Sequence, residues 1–505
     1  MMHAPRAYVR RPRSAGVLLH PTSLPGRFGV GDIGPEAVTF LDWLARGGQK
    51  IWQVLPLNPP GYGNSPYGCL SSFAGNPLLI SPLGLLEEGL LPAGALDVLP
   101  QFDATRVDYV AAAAWKELLL RESYRHFLAQ PPPDLQEDLD SFQNAPEQIG
   151  WLDDWSLYVA LKHRFNQIEW SAWESDYALR NSAALASARH DLSGEIALHK
   201  YVQFLFFRQW QQLRDAAHVR RIRIMGDVPI YAAGDSADVW SHADLFQLDP
   251  AGHPTVVAGV PPDYFSATGQ RWGNPLYRWE RMEQDGFQWW IERVRANLRL
   301  VDILRLDHFR GFSAYWEIGA QEPTAVNGRW VDGPGKALFE AIRAKLGSLP
   351  LVAEDLGFIT TEVDELRMAA GLPGMKILQF AFEEDDSPHL PHNYEPASVV
   401  YTGTHDNDTA RGWFDNATAV EKAHARSYLG CAAEEIQWGM IRTAYTSVAD
   451  MAIVPLQDIL GVGSEGRMNT PGHSENNWAW RYEHTDLTDR SAEILRELAT
   501  VAGRA

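Results

Sequence analysis

Short apolar runs, each closed by a polar or turn-forming residue, recur along this chain. Gly16-Val-Leu-Leu-His20 opens the series and Lys50-Ile-Trp-Gln-Val-Leu-Pro-Leu57 follows. Each leads into a loop rich in Gly and Pro, and between them Ala37 to Arg46 carries apolar residues at helical spacing. Strand, loop and helix in that order point to parallel α/β architecture. From about residue 84 to residue 220 helical patterns take over: Tyr109 to Phe127, Trp155 to Phe165 and Leu198 to Arg220. The strand rhythm resumes in Arg223-Ile-Met-Gly-Asp227, Val301 to Asp307, Leu351 to Asp355, Met375 to Phe382, Val399 to Asp406 and Asp450 to Asp458. Lys336 to Leu346 and Thr361 to Ala370 supply helices between them.

Eight strands with intervening helices predict a (β/α)₈ TIM barrel, with long loops at its C-terminal face. On this reading residues 14–505 form one barrel, and residues 84–220 are a helical insertion between strands 2 and 3. Residues 1–13 are a flexible tail, since the arginines there precede no apolar stretch of a signal peptide. The connection from Ala232 to Pro275 is longer than the roughly 12–15 residues beyond which an irregular loop is usually functional.

The polar residues that end the strands carry the chemistry. Alternation puts Ile303, Arg305 and Asp307 on one strand face and Leu304 and Leu306 on the other. An Arg beside an Asp favours the ionised carboxylate and lowers its pKa. The pair therefore reads either as a structural ion pair or as a nucleophile with its counter-ion. In a barrel of this kind the chemistry sits at the C-terminal ends of the strands. Those ends carry His20, Asp227, Asp307, Glu354 with Asp355, His405 with Asp406, and Asp458. Carboxylates closing five strands are expected to converge on one mouth. Metal binding would call for several His at ligand spacing or a grouped acidic loop, and neither is visible. Paired carboxylates with an Arg suit glycosyl transfer, where one acid protonates the leaving oxygen and the second attacks or supports the oxocarbenium-like centre.

Composition narrows the partners. A net charge of −20 argues against nucleic acid and anionic membrane surfaces. No run approaches the roughly 18 apolar residues of a spanning helix. The two cysteines, Cys69 and Cys431, form no metal spacing and no disulfide framework, which fits a reducing cytoplasm. The 19 Trp, 17 Tyr and 20 Phe are mostly core, and Trp151, Trp155, Trp170 and Trp173 are expected there. Those lying among Gly, Pro and Asn in loops suit the apolar faces of sugar rings.

Asp227 in Gly226-Asp-Val-Pro-Ile230, Arg305-Leu-Asp307, Glu354 in Ala353-Glu-Asp-Leu356 and His405-Asp-Asn407 resemble the four signature regions of the α-amylase clan. Two longer motifs narrow the likeness. Tyr62-Gly-Asn-Ser-Pro-Tyr67 continues to Phe73-Ala-Gly-Asn-Pro77, and Pro262-Asp-Tyr-Phe-Ser266 continues to Gly269-Gln-Arg-Trp-Gly-Asn-Pro275. Both resemble the amylomaltases, the 4-α-glucanotransferases of glycoside hydrolase family 77, from about residue 14 to residue 482. Asn64 stands where that family more often has Asp.

The resemblance implies retaining transfer of α-1,4-glucan segments between maltooligosaccharides, through a β-glucosyl-enzyme, without metal or organic cofactor. It also implies roles. Asp307 would be the nucleophile, Glu354 the acid and base, and Asp406 the transition-state stabiliser. Arg305 and His405 would support them. Asp227, Tyr62, Tyr67, Trp272 and His473 would contact the glucan.

Overall fold

The computed structural model describes residues 12–262, 266–473 and 475–505. Most of the expected tail (residues 1–11), Asp263 to Phe265 of the second long motif, and Ser474 lie outside the described residues.

Eight parallel strands form the centre: β1 (Ser14–Leu18), β2 (Ile51–Gln53), β3 (Arg223–Val228), β4 (Ile303–Leu306), β5 (Leu351–Ala353), β6 (Gly374–Ile377), β7 (Ser398–Tyr401) and β8 (Met451–Pro455). They follow one another around the sheet in chain order, and β8 pairs back onto β1 from Ser14↔Met451 to Leu18↔Pro455. The seam between β5 and β6 is held by the Ala353 amide on the Pro373 carbonyl at 2.9 Å. There the Asp355 carboxylate accepts the Met375 amide at 2.6 Å and pairs with Arg367 at 3.1 Å. Asp355 is thus a side-chain rung of the barrel.

Alternation works as expected. Ile303, Met225, Val352, Met375, Val399, Tyr401 and Met451 fill the barrel interior, while Leu304, Leu306, Leu351 and Ala353 pack outward against the helical layer. Between β2 and β3 run several helices, among them α1 (Tyr109–Ala129), α2 (Leu152–Arg164) and α3 (Ser193–Val219). Asp108 caps α1 by accepting the Ala111 amide. Asp153 and Asp154 open α2, and Lys162, His163 and Arg164 close it, the charge order that complements a helix dipole. α3 serves two layers. Tyr201 packs on Tyr124 and Phe127 of α1. Further along, Trp210 donates to the Leu300 carbonyl and Arg214 pairs with Asp302, both beside β4.

The stretch from Ala232 to Pro275 is not an irregular loop. It holds a helix, Ala237–Ser241, and two strands, Val256–Val260 and Gln270–Pro275. With Ala314–Gly319 and Arg329–Asp332 these strands make a four-stranded antiparallel sheet beside the barrel mouth. Gln270, Arg271 and Trp272 of its edge strand are exposed, so no apolar alternation marks that strand in the sequence. Among the described residues no helix is long and apolar enough to cross a membrane.

Candidate active site

Parallel pairing fixes the levels of the site. Asp227 lies opposite Arg305 in the β3–β4 ladder, and Leu306 lies opposite Ala353 in the β4–β5 ladder. Asp307 and Glu354 are therefore the next residues on adjacent strands, both on the inward side and one level above Asp227 and Arg305. Neighbouring strands are about 4.8 Å apart.

Arg305 is the hub. Its Nη1 donates to Asp227 Oδ2 at 2.6 Å and to Asp307 Oδ1 at 2.9 Å, and its Nε faces Met375 Sδ at 3.4 Å. Tyr67 also donates to Asp227 Oδ2, at 2.8 Å, and its ring stacks on His405 with centroids 4.8 Å apart. His405 Nε2 lies 3.4 Å from Asp406 Oδ2, while Asn469 Nδ2 donates to Asp406 Oδ1 at 2.6 Å. Arg467 donates to the Asp406 carbonyl at 2.6 Å. Both oxygens of Asp406 are thereby engaged.

Glu354 is held by backbone. Its Oε2 accepts the His308 amide at 2.7 Å and its Oε1 the Leu356 amide at 2.9 Å. His308 takes a left-handed conformation, φ 51°, and it is this residue whose amide reaches Glu354. The turn closes because Gly311 has no side chain: a Cβ there would lie 2.7 Å from Ile230 Cδ1 and 3.2 Å from the His308 ring. Trp272 meets His308 edge to face at 4.8 Å.

These environments spread the carboxyl pKa values. Burial pushes Glu354 up to about 7, helped by the Asp307 charge and opposed by Arg305 and the two amides. Burial also raises Asp307, to about 6, against the pull of Arg305. The sequence led us to expect an Asp307 pKa lowered by its arginine. That expectation fails because burial outweighs the pull of Arg305, and the negative charge of Asp227 adds to the rise. Asp406 goes the other way: burial opposes it, but His405 and Asn469 hold it well below the usual range. In return Asp406 raises His405 despite burial of the imidazole.

A groove of about 1190 Å³ opens over this cluster. Asp307, His405, Asp406, Tyr67, Tyr62, Trp272 and His473 lie on its wall, and Arg305, Asp227 and Glu354 are buried beside them, bonded to Asp307, Tyr67 and the His308 amide respectively. Tyr62 is 90% exposed, free to meet a ligand. His473 contributes to the wall through a loop pinned by Asn477, which donates to its carbonyl at 2.8 Å. The carboxylates of only four strand ends meet here. Asp458 is buried in the short helix after β8, where it accepts from Thr402 and the Ala410 amide, and Asp355 serves the seam. His20 is buried away from the groove wall. Trp151, Trp155, Trp170 and Trp173 are buried as expected. Among the described residues no group of three or more His, Cys, Asp or Glu is arranged to hold a metal ion.

Sequence reasoning missed Asn469 and Arg467, which fix Asp406, and Trp478, whose ring lies 6.0 Å from Tyr67 and 5.8 Å from His405. Asn469 opens the loop that carries His473, well beyond the end of β8 at Pro455 and past the short helix Leu456–Leu460, where no strand periodicity marks it.

A parallel barrel whose mouth holds differently tuned carboxyls beside an aromatic groove defines an enzyme of glycoside chemistry. The comparisons make this specific. Residues 19–487 match the family model of the 4-alpha-glucanotransferases of glycoside hydrolase family 77, and the chain belongs to that family. It is 49% identical to the 4-alpha-glucanotransferase of Synechocystis sp. over 97% of this chain and 98% of that one. It is likewise 49% identical to that of Thermus thermophilus, over 98% and 99%. The solved amylomaltase from Streptococcus agalactiae in complex with acarbose matches with a TM-score of 0.94 at 38% identity, over 98% of this chain and 100% of that one.

Proposed function

We propose that the protein transfers α-1,4-glucan segments between maltooligosaccharides with retention, through a covalent β-glucosyl ester on Asp307. The observation that carries this reading is the placement of Asp307 and Glu354 at one level of adjacent strands, in different environments. A strand spacing of about 4.8 Å suits the roughly 5–5.5 Å carboxyl separation of retaining enzymes.

In the first half, Asp307 attacks the anomeric carbon and the bond to the glycosidic oxygen breaks. The Glu354 proton passes to that oxygen, and the reducing-end segment leaves with a free 4-hydroxyl. Asp307 Oδ1 is tied to Arg305, so Oδ2 is the attacking atom. In the second half, the 4-hydroxyl of an acceptor glucan displaces Asp307 and gives its proton to the Glu354 carboxylate. Asp406, held ionised, supports the positive charge at the sugar ring, and His405 and Asp227 take its hydroxyls. Tyr62, Tyr67, Trp272 and His473 line the path of the chain. A long bound chain that returns its own end to the ester would yield a cyclic glucan.

Maltotriose tests the reading. Glucose together with a ladder of longer oligosaccharides is the expected result. Short products alone would show that water, not sugar, is the acceptor.

The two raised carboxyls also set a pH profile. Asp307 must be ionised, so the rate rises with pH through about 6. Glu354 must be protonated for the first half, so the rate falls as pH passes about 7. We expect a bell in kcat/KM centred between these values, reporting the pair rather than either residue alone. In Glu354→Gln the alkaline limb should vanish from whatever activity remains; a limb that persists would assign it elsewhere.

A further inference from the structure

The groove is walled in part by a turn that belongs to the helical stretch between β2 and β3. Lys162, Gln167, Glu169, Trp170 and Ser171 line it, and none of them bonds to the carboxylate cluster. Within this turn Asn166 and Gln167 are consecutive left-handed residues, φ 53° and 64°. Left-handed backbone is costly for a residue with a side chain. Such outliers persist where the surroundings over-determine them, and they cluster at ligand clamps.

Here the surroundings are built for it. Lys162 is buried and places its ammonium on the Gln167 carbonyl at 2.9 Å, the Ile168 carbonyl at 2.9 Å and Asp235 Oδ2 at 2.7 Å. Asp235 Oδ1 accepts from Tyr158 at 2.7 Å and from the Trp170 amide at 3.2 Å. Trp170 donates its indole N–H to Gly234 at 2.7 Å and packs under Gly252, where a Cβ would come within 2.6 Å. Gly234 and Asp235 end the segment that leaves β3 past Asp227, so the turn is tied to the catalytic strand itself.

The backbone is thus locked while the side chains of Gln167 and Glu169 are exposed on the groove wall. Preorganised backbone with free amide and carboxylate groups is what recognition of sugar hydroxyls requires. The groove, about 1190 Å³, exceeds the roughly 300–1,000 Å³ of ordinary small-ligand sites, which leaves room for several sugars. The Glu169 charge disfavours an anionic ligand and suits a neutral polyol.

Building on the glucan-transfer reading, we infer that the 166–171 turn is a distal glucan subsite, in which Gln167 and Glu169 hold hydroxyls of a sugar remote from Asp307. It makes the enzyme discriminate by chain length. The test is a Gln167→Gly, Glu169→Ala variant; glycine accepts the left-handed φ, and neither change touches the Lys162 network. Losing two hydrogen bonds should lower kcat/KM for maltoheptaose about tenfold, with a much smaller fall for maltotriose. Calorimetric binding of maltoheptaose, compared with and without the two changes in an Asp307→Asn background so that no turnover intervenes, should weaken by the same factor. Equal losses on both oligosaccharides, or unchanged maltoheptaose binding, would overturn the subsite. Absence of transfer by the unaltered protein, with the binding difference intact, would instead overturn the reaction and leave the subsite standing.

Discussion

Asp307→Asn is expected to lower kcat for maltotriose disproportionation by about 10⁴–10⁶-fold, the scale seen when a nucleophile is removed, while leaving the fold and maltooligosaccharide binding in place. The side chain keeps its shape and can still accept from Arg305 Nη1, which now stands 2.9 Å from Asp307 Oδ1. What disappears is the carboxylate that we propose forms the ester. A smaller residue provides the positive control. In Asp307→Ala, azide can enter the vacated space and attack the anomeric carbon of α-maltosyl fluoride, releasing fluoride. The product should be the β-glycosyl azide, because azide arrives from the side Asp307 occupied. Residual activity within tenfold of the unaltered enzyme, or an α-configured azide, would remove Asp307 from the nucleophile's role.

How far such a site is legible in one sequence depends on whether the backbone is regular there. The period of two along β4 placed Arg305 and Asp307 inward together, and the structure keeps them so. The same alternation sends Asp355 to the face opposite Glu354, where it meets the Met375 amide rather than the mouth. Past the strand ends the rule lapses. Asp458 lies three residues beyond β8, in a short helix that carries it into the interior. Asn469 and Trp478 come from a loop whose path follows contacts such as the Asn469 amide on the His405 carbonyl, and no periodicity encodes these. The outer antiparallel sheet escaped for a related reason, since an exposed edge strand such as Gln270–Pro275 has no buried face to pattern. Net electrostatics are harder still. Arg305 beside Asp307 suggested a lowered pKa, but the outcome depends on burial and on Asp227, which pairing across strands brings to the same guanidinium.

That shared guanidinium makes Arg305→Met the substitution that reaches furthest. Methionine fills similar space and can rest on Met375, so the loss is of charge rather than of packing. Asp227 would keep the Tyr67 hydroxyl at 2.8 Å but lose its cation in a fully buried position, and breaking a buried pair costs about 3–5 kcal/mol. The activity profile should move as well. Arg305 now pulls down both Asp307 and Glu354, so its removal raises both. The acid limb, where Asp307 must ionise, moves to higher pH, and so does the alkaline limb, where Glu354 must stay protonated. A cation at this distance is worth about 1–3 pH units, so the optimum should shift alkaline by that amount, with activity at pH 6 suffering more than at pH 8. Loss of stability with an unmoved optimum would mean that Arg305 only holds the barrel together. A shifted optimum would show that one buried charge sets the working range of both catalytic carboxyls.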